Sequence, residues 1–337
     1  MAFKLSNLKR KKNELLKYFM NQILETTKFV VENSDFVKIN RERLVEFSKG
    51  FDHGKAKHWL SAAPFDFSHF SEEEKLHFVI ILNALSFCYW GEPKWAIEYK
   101  DKKHDGAWGM ILALGCSMEE GVPLLDFEYC SQISKEDFTR VLRGNIEIPL
   151  FEERWKILRE IATSMVEKYD SKAKNFIAEA NGDTQKLLEI IVQNFPSFSD
   201  TSSYKEKEIY FYKRAQLLVA DIYQIFDGEG FGTLENIDQI TACADYKLPQ
   251  ILRKLGILEY TTTLAEKVDT KIEIAHSSRE EVEIRSNTIW SIEFIKEEVK
   301  KRNPQILSFE VNDHLWLATQ EKFDGDKLYH RTRTTAY

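Results

Sequence analysis

Most of this chain is patterned with apolar residues three and four apart, between capping signals, and such a pattern folds as amphipathic helices. In "LFEERWKILREIATSMVEKY" (150–169), Trp155, Leu158, Ala162, Met165 and Tyr169 share one stripe, and Pro149 stands just ahead of it. "SEEEKLHFVIILNAL" (71–85) opens with Ser71 and Glu74, a capping box. "SKEDFTRVLRG" (134–144) repeats the logic with Ser134 and Asp137 and stops at Gly144. "YKEKEIYFYKRAQLLVADIYQIF" (204–226) predicts one long helix with Phe211, Ala215, Leu218, Ile222 and Phe226 on one face, and "NTIWSIEFIKEEVKKR" (287–302) predicts another. In "KLPQILRKLGIL" (247–258), Leu248, Ile251, Leu252 and Leu255 line one face, with Pro249 in the first turn and Gly256 past the end.

Turn formers are scarce, 14 Gly and 7 Pro in 337 residues, which favours long helices over many short strands. The clear strand signal is "KWAIEYKDKKHDGAWGMI" (94–111). There Trp95, Ile97 and Tyr99 alternate and Asp105–Gly106 supplies a turn, so a small β-hairpin is expected near 94–110. The Ser/Thr/Asp-rich stretch 197–203 reads as a loop at which two lobes could divide, too short to mark a domain boundary. The expectation is a mainly α fold, a single multi-helix globular domain over 1–337.

A net charge of −7 argues against a polymeric nucleic acid as partner, because a polyanion requires a basic footprint. Cys88, Cys116, Cys130 and Cys243 form no CxxC pair, and the eight histidines show no HExxH spacing. No metal or other cofactor is therefore expected, and scattered thiols suit a reducing, cytoplasmic setting. "MAFKLSNLKRKKNELLKYF" at the N-terminus lacks the apolar run of a signal peptide and reads as an amphipathic helix. "FVIILNALSF" (78–87) is too short to span a bilayer, so no membrane partner is expected. Nothing in the sequence speaks to oligomeric state.

Several residues invite a chemical reading beside a structural one. "FDGEGFG" (226–232) resembles a phosphate loop but follows a helix, so it reads as an interhelical turn. Asp221, among apolar neighbours, calls for an Arg or backbone partner. Glu283, Arg285 and Glu293 suggest an internal ion network. Lys213–Arg214 is either a solvated face with long apolar stems or a cation for a ligand phosphate. His330, Arg331 and Arg333 read as a surface tail. Asp245, a few residues upstream of Pro249, is a helix cap on the commoner reading; the other is an ionised carboxylate opposing a developing cation.

The long block "RAQLLVADIYQIFDGEGFGTLENIDQITACADYKLPQILRKLGILEY" (214–260) resembles the signature region of the queuosine salvage proteins, queuosine 5′-phosphate N-glycosidases that release queuine. Further blocks fit in order: "LNALSFCYW" (82–90), Gly106–Trp108, "PLFEERWKIL" (149–158), "VQNFPSFSD" (192–200), "FYKRAQ" (211–216), "REEVEIRSNTIWSIE" (279–293) and "HRTRTTAY" (330–337). The resemblance covers nearly the whole chain. It implies an architecture similar to helix–hairpin–helix DNA glycosylases, a hydrolase of a free small-molecule nucleotide for tRNA-modification salvage, and no metal. The family's catalytic Asp falls on Asp245 in the Ala-Asp-Tyr step that ends at Tyr246. The base-pocket residue two before it is Cys243, where an aromatic is common. The N-terminal ligand-contacting His falls on His58, with His53 as the alternative. In "VNDHLWLA" (311–318), Asn312 and Asp313 stand at ligand-contact positions, and Leu317 replaces an acid. For the 5′-phosphate, Lys213 comes first, with Arg331 and Arg333 behind it. The rival expectations are a non-catalytic helical nucleobase-binding or scaffold protein, in which Asp245 only caps, and a DNA glycosylase, which would need a basic groove.

Overall fold

With the exception of the first part of 204–226, the striped segments form the helices that the spacing predicts, and their apolar faces share one core that runs from Ile23 to Tyr337. The structure, a computed structural model, describes residues 22–52, 58–321 and 325–337. The N-terminal amphipathic helix expected over the first 19 residues and His53 lie outside them.

A first helix, α1 (22–32), leads to strand β1 (Val37–Ile39) and α2 (Arg41–Gly50). A 3-10 turn at Trp59–Ala62 precedes α3 (Glu72–Leu85), whose residues from Leu76 onward are all buried. Its start is the expected capping box: Ser71 Oγ accepts the Glu74 amide, and the Glu74 carboxylate accepts the Ser71 amide at 2.8 Å. The hairpin β2 (Ala96–Tyr99) and β3 (Lys102–Asp105) feeds α4 (Gly106–Glu119). Then come α5 (Phe127–Gln132), α6 (Lys135–Val141, capped by Ser134), α7 (Phe151–Tyr169), α8 (Ala173–Ala180) and α9 (Thr184–Asn194). A second hairpin, β4 (Thr201–Tyr204) and β5 (Lys207–Tyr210), leads into α10 (Lys213–Ile225). The chain closes through α11 (Lys247–Lys254), β6 (Leu258–Tyr260), α12 (Thr262–Asp269), α13 (Arg279–Lys300), α14 (Ser308–Ala318) and an extended tail.

Helices α3, α7 and α10 pack together on one side, and α13 gathers α2, α11, α14 and β1 on the other. The sheets among the described residues are three antiparallel pairs, β1–β6, β2–β3 and β4–β5. The architecture is mainly α, as expected. "FDGEGFG" is indeed a turn after α10, with Asp227, Gly228 and Gly230 in left-handed conformations. No helix of the described residues is long and apolar enough to cross a membrane.

Three expectations need correction. The first hairpin turns at Lys100–Asp101, where φ is 48° and 61°, and Gly106 begins α4 instead. The stretch 197–203 is a 3-10 turn followed by β4 rather than a loop. Residues 204–226 are not one helix. Lys205–Glu206–Lys207–Glu208 offers no apolar residue to a helical stripe, and Lys205 and Glu206 take φ of 46° and 64° to close the second hairpin. The Tyr204 hydroxyl is held by the Asn33 carbonyl (2.6 Å) and the Glu283 carboxylate (2.8 Å), contacts from distant segments that no local propensity encodes.

Candidate active site

Where α10 begins, α3 ends and α14 passes, the core opens into a cavity of about 940 Å³ including its open mouth. Aromatic rings supply much of the wall: Trp59, Phe87, Trp90, Trp316, Tyr329 and Tyr337. Trp59, Trp108 and Trp316 form a triangle with centroids 5.2–5.8 Å apart, which fixes the two indoles facing the cavity.

Asp245 lies in the wall at the head of α11. Its Oδ1 accepts the amides of Lys247 (2.7 Å) and Leu248 (3.0 Å). It is thus a helix cap despite its distance from Pro249. No hydrogen bond among the described residues reaches its other oxygen. The cap and the catalyst readings therefore do not compete: the cap orients one half of a carboxylate whose other half stays open.

Lys213, the first residue of α10, is 6% exposed and lines the cavity, so the solvated-face reading fails. Its amide donates to Asp200 Oδ2 at 3.1 Å, while no partner among the described residues engages its ammonium. Arg214 points the other way and is buried against the Ala84 and Ser197 carbonyls. Cys243 also lines the cavity. Burial pushes its thiol well up, against the opposing charge of Lys213, so it is a neutral wall residue. The Cys243 amide donates to Asn312 Oδ1 at 2.9 Å, which ties α14 to the loop that carries Asp245. Asn312 Nδ2 donates to Asp313 (3.2 Å), and Asp313 also accepts from Gln224 Nε2 (3.1 Å) and the Trp59 amide (3.3 Å). Burial pushes the Asp313 carboxyl up to about 6, partly opposed by His58. Leu317 is not in the wall. Tyr246 is, packed in a tilted arrangement against Tyr329 with centroids 4.9 Å apart.

His58 stands one layer behind the wall. Its Nε2 is 3.2 Å from Asp221 Oδ1, which also accepts Trp59 Nε1 (2.8 Å), while Asp221 Oδ2 accepts Asn83 Nδ2 (2.7 Å). Asp221 is therefore satisfied by three side chains, not by an Arg or the backbone. The expected ion network on α13 divides into separate clusters. Arg285 pairs with Asp200, Glu283 accepts backbone amides at 36 and 37, and Glu293 pairs with Lys296.

The tail departs most from expectation. His330, Thr332, Thr334 and Tyr337 are buried, and Arg331 and Arg333 fall on the opposite face of the extended tail. Arg331 pairs with Glu92 (2.5 Å) and Arg333 with Glu273 (3.3 Å), both beside the Trp90 ring. Neither lines the cavity. Tyr337 does, with its hydroxyl 3.0 Å from His330 Nε2. Sequence reasoning also missed Lys247, Tyr329 and the pair Lys94–Asp105 (3.1 Å), all in the wall. The alternation in "HRTRTT" was the available signal for the tail. No group of His, Cys, Asp and Glu among the described residues could hold a metal ion.

Fold and site define a mainly helical protein with an aromatic-lined cavity that a lysine and an open carboxylate face together. Residues 67–337 match the family described as queuosine salvage protein. A protein of Sphaerobacter thermophilus is 36% identical over 94% of this chain and 97% of its own length. Relatives from Mus musculus (32%, 93% and 98%) and Bos taurus (31%, 93% and 98%) follow. All three are named queuosine 5′-phosphate N-glycosylase/hydrolase. This chain belongs to the queuosine salvage protein family.

Proposed function

We propose that this cavity hydrolyses the N-glycosidic bond of queuosine 5′-phosphate and releases queuine, with Asp245 opposing the charge that develops at ribose C1′. The observation that carries the reading is the half-tied carboxylate: one oxygen is fixed by two amides, the other is open to a cavity lined with aromatic rings. In glycoside cleavage the anomeric carbon gains oxocarbenium character as the leaving group departs. The C1′–N9 bonding pair leaves with the base, and water supplies hydroxide to C1′ and a proton to the base. A preorganised carboxylate stabilises that transition state, as electrostatic partner or as nucleophile.

The remaining residues fit the other parts of a free nucleotide. Lys213 offers a buried ammonium to the 5′-phosphate. The base lacks N7, so its departure relies on stacking and hydrogen bonding. Trp59 and Trp316 supply faces, and Asp313 with Asn312 supplies acceptors and a donor for a guanine-like edge. His58 holds Trp59 in place through Asp221. The net charge of −7 agrees with a free nucleotide rather than a polymer. Incubating the purified protein with queuosine 5′-phosphate should yield free queuine and ribose 5-phosphate. Binding without turnover would leave a nucleotide-binding protein and overturn the reading.

A further inference from the structure

The α13 motif that the proposed chemistry leaves unused points to a positioning residue. Arg285 is wholly buried and lies outside the cavity wall. Its fork holds Asp200 with both terminal nitrogens, at 2.9 and 2.5 Å. Asp200 Oδ2 also accepts the Lys213 amide at 3.1 Å, and its carbonyl accepts the amides of Phe211 (3.0 Å) and Tyr212 (3.2 Å). Asp200 thus sets the first residue of α10. The Nε of Arg285 donates to the carbonyl of Ala244 at 3.3 Å, the residue before Asp245. The guanidinium is clamped between the rings of Phe211 (3.9 Å) and Tyr337 (4.5 Å), with Glu281 3.5 Å from Nη1. One rigid planar group therefore holds the peptide just before Asp245 directly and the backbone amide of Lys213 through the Asp200 carboxylate.

We propose that Arg285, with Asp200, fixes the distance between Lys213 and Asp245, so that a nucleotide held by its 5′-phosphate presents C1′ to the carboxylate. The proposal rests on the reading of Lys213 and Asp245 given above. A buried ion pair is a poor source of net stability, since apolar residues of equal volume often do as well. What the pair supplies is a fixed geometry, which a fork and a bidentate carboxylate define better than an ammonium does. Misplacing reacting groups by about 1 Å can cost roughly a hundredfold in rate.

The test is a set of coupled variants assayed on queuosine 5′-phosphate and on queuosine. Arg285→Lys keeps the charge and loses the fork. It should lower the nucleotide-to-nucleoside ratio of kcat/KM by about tenfold. On a Lys213→Ala background the same change should leave the ratio untouched, because the phosphate no longer reports the spacing. A purely packing role predicts equal losses on both substrates and effects that multiply in the double variant, which would overturn the proposal. If Arg285→Lys does not fold, Asp200→Asn takes its place, since it keeps an acceptor for the Lys213 amide and removes the charged pair. If Lys213→Ala alone leaves the ratio unchanged, the phosphate role of Lys213 has failed. The positioning proposal is then decided on kcat: Arg285→Lys combined with Asp245→Asn supports it when the effects fail to multiply and overturns it when they do.

Discussion

In the proposed mechanism Asp245 serves structure and chemistry at once, capping α11 while its open oxygen faces the cavity. Asn caps a helix about as well as Asp, so Asp245→Asn should keep both amide contacts and a near wild-type urea midpoint. It should lower kcat on the order of 10²–10³-fold, because one preorganised charge is lost. Asp245→Ala should lose about 1 kcal/mol of stability as well, since the amides of Lys247 and Leu248 are then uncapped. Normal turnover by a folded Asn variant would return this residue to the caps. Lys213 separates in the same way. A hydrogen bond to a charged group contributes about 1.5–3 kcal/mol, so Lys213→Ala should raise KM roughly ten- to a hundredfold on the nucleotide and far less on the nucleoside. Equal losses on both would move its ammonium to the ribose or the base.

At the scale of elements, the helices announced themselves through stripes and caps, while the strands followed from where the chain had to turn. The β2–β3 turn holds Lys100 and Asp101 in left-handed conformations, each at a cost of about 1 kcal/mol for an L residue. Lys100→Asn with Asp101→Gly should therefore raise stability by about 1 kcal/mol in urea unfolding, Asn-Gly being the favoured pair for such a turn. An unchanged midpoint would show that the Lys100 ammonium, 4.9 Å from the Tyr99 ring, contributes as much as the turn strain costs. The second hairpin departs from the helical pattern of 204–226 because of contacts made by distant segments. Tyr204 is drawn inward by Glu283 on α13, and a helical continuation would carry it away from that partner.

Across the whole molecule, the tail links distant parts of the core to the cavity. Tyr337 reaches back so that its carbonyl accepts the Cys88 amide at 2.8 Å, and Thr332 bonds the Ile274 carbonyl at 2.9 Å. His330 is buried beside it, and burial, with the nearby Arg285 charge, lowers its pKa to about 3. The unfolded chain takes up a proton near pH 6.5 and the folded one does not until about 3, so stability is present above that window and falls as pH drops through it. The loss from this one residue should reach roughly 3 kcal/mol by pH 4. His330→Gln should flatten the decline when urea midpoints at pH 7.5 and 4.5 are compared. An equal acid loss in the variant would place the sensitivity elsewhere.

What the chain determined by itself is the set of patterns with a local cause. Apolar spacing and caps placed α3, α6, α7 and α11, whereas Asp245 and its neighbours were singled out by the resemblance of the block 214–260 to a known family, the residues alone favouring a cap. Tertiary structure decided which charges face the cavity. Lys213 and Arg214 are adjacent and alike in sequence, yet one opens to the cavity and the other is buried on backbone carbonyls. His58 acts from behind Trp59, and two arginines with the right chemistry for a phosphate sit on the outer face of the tail. A charge's role depends on which way its backbone faces and on what is packed across from it. Both are set by contacts between segments far apart in the chain.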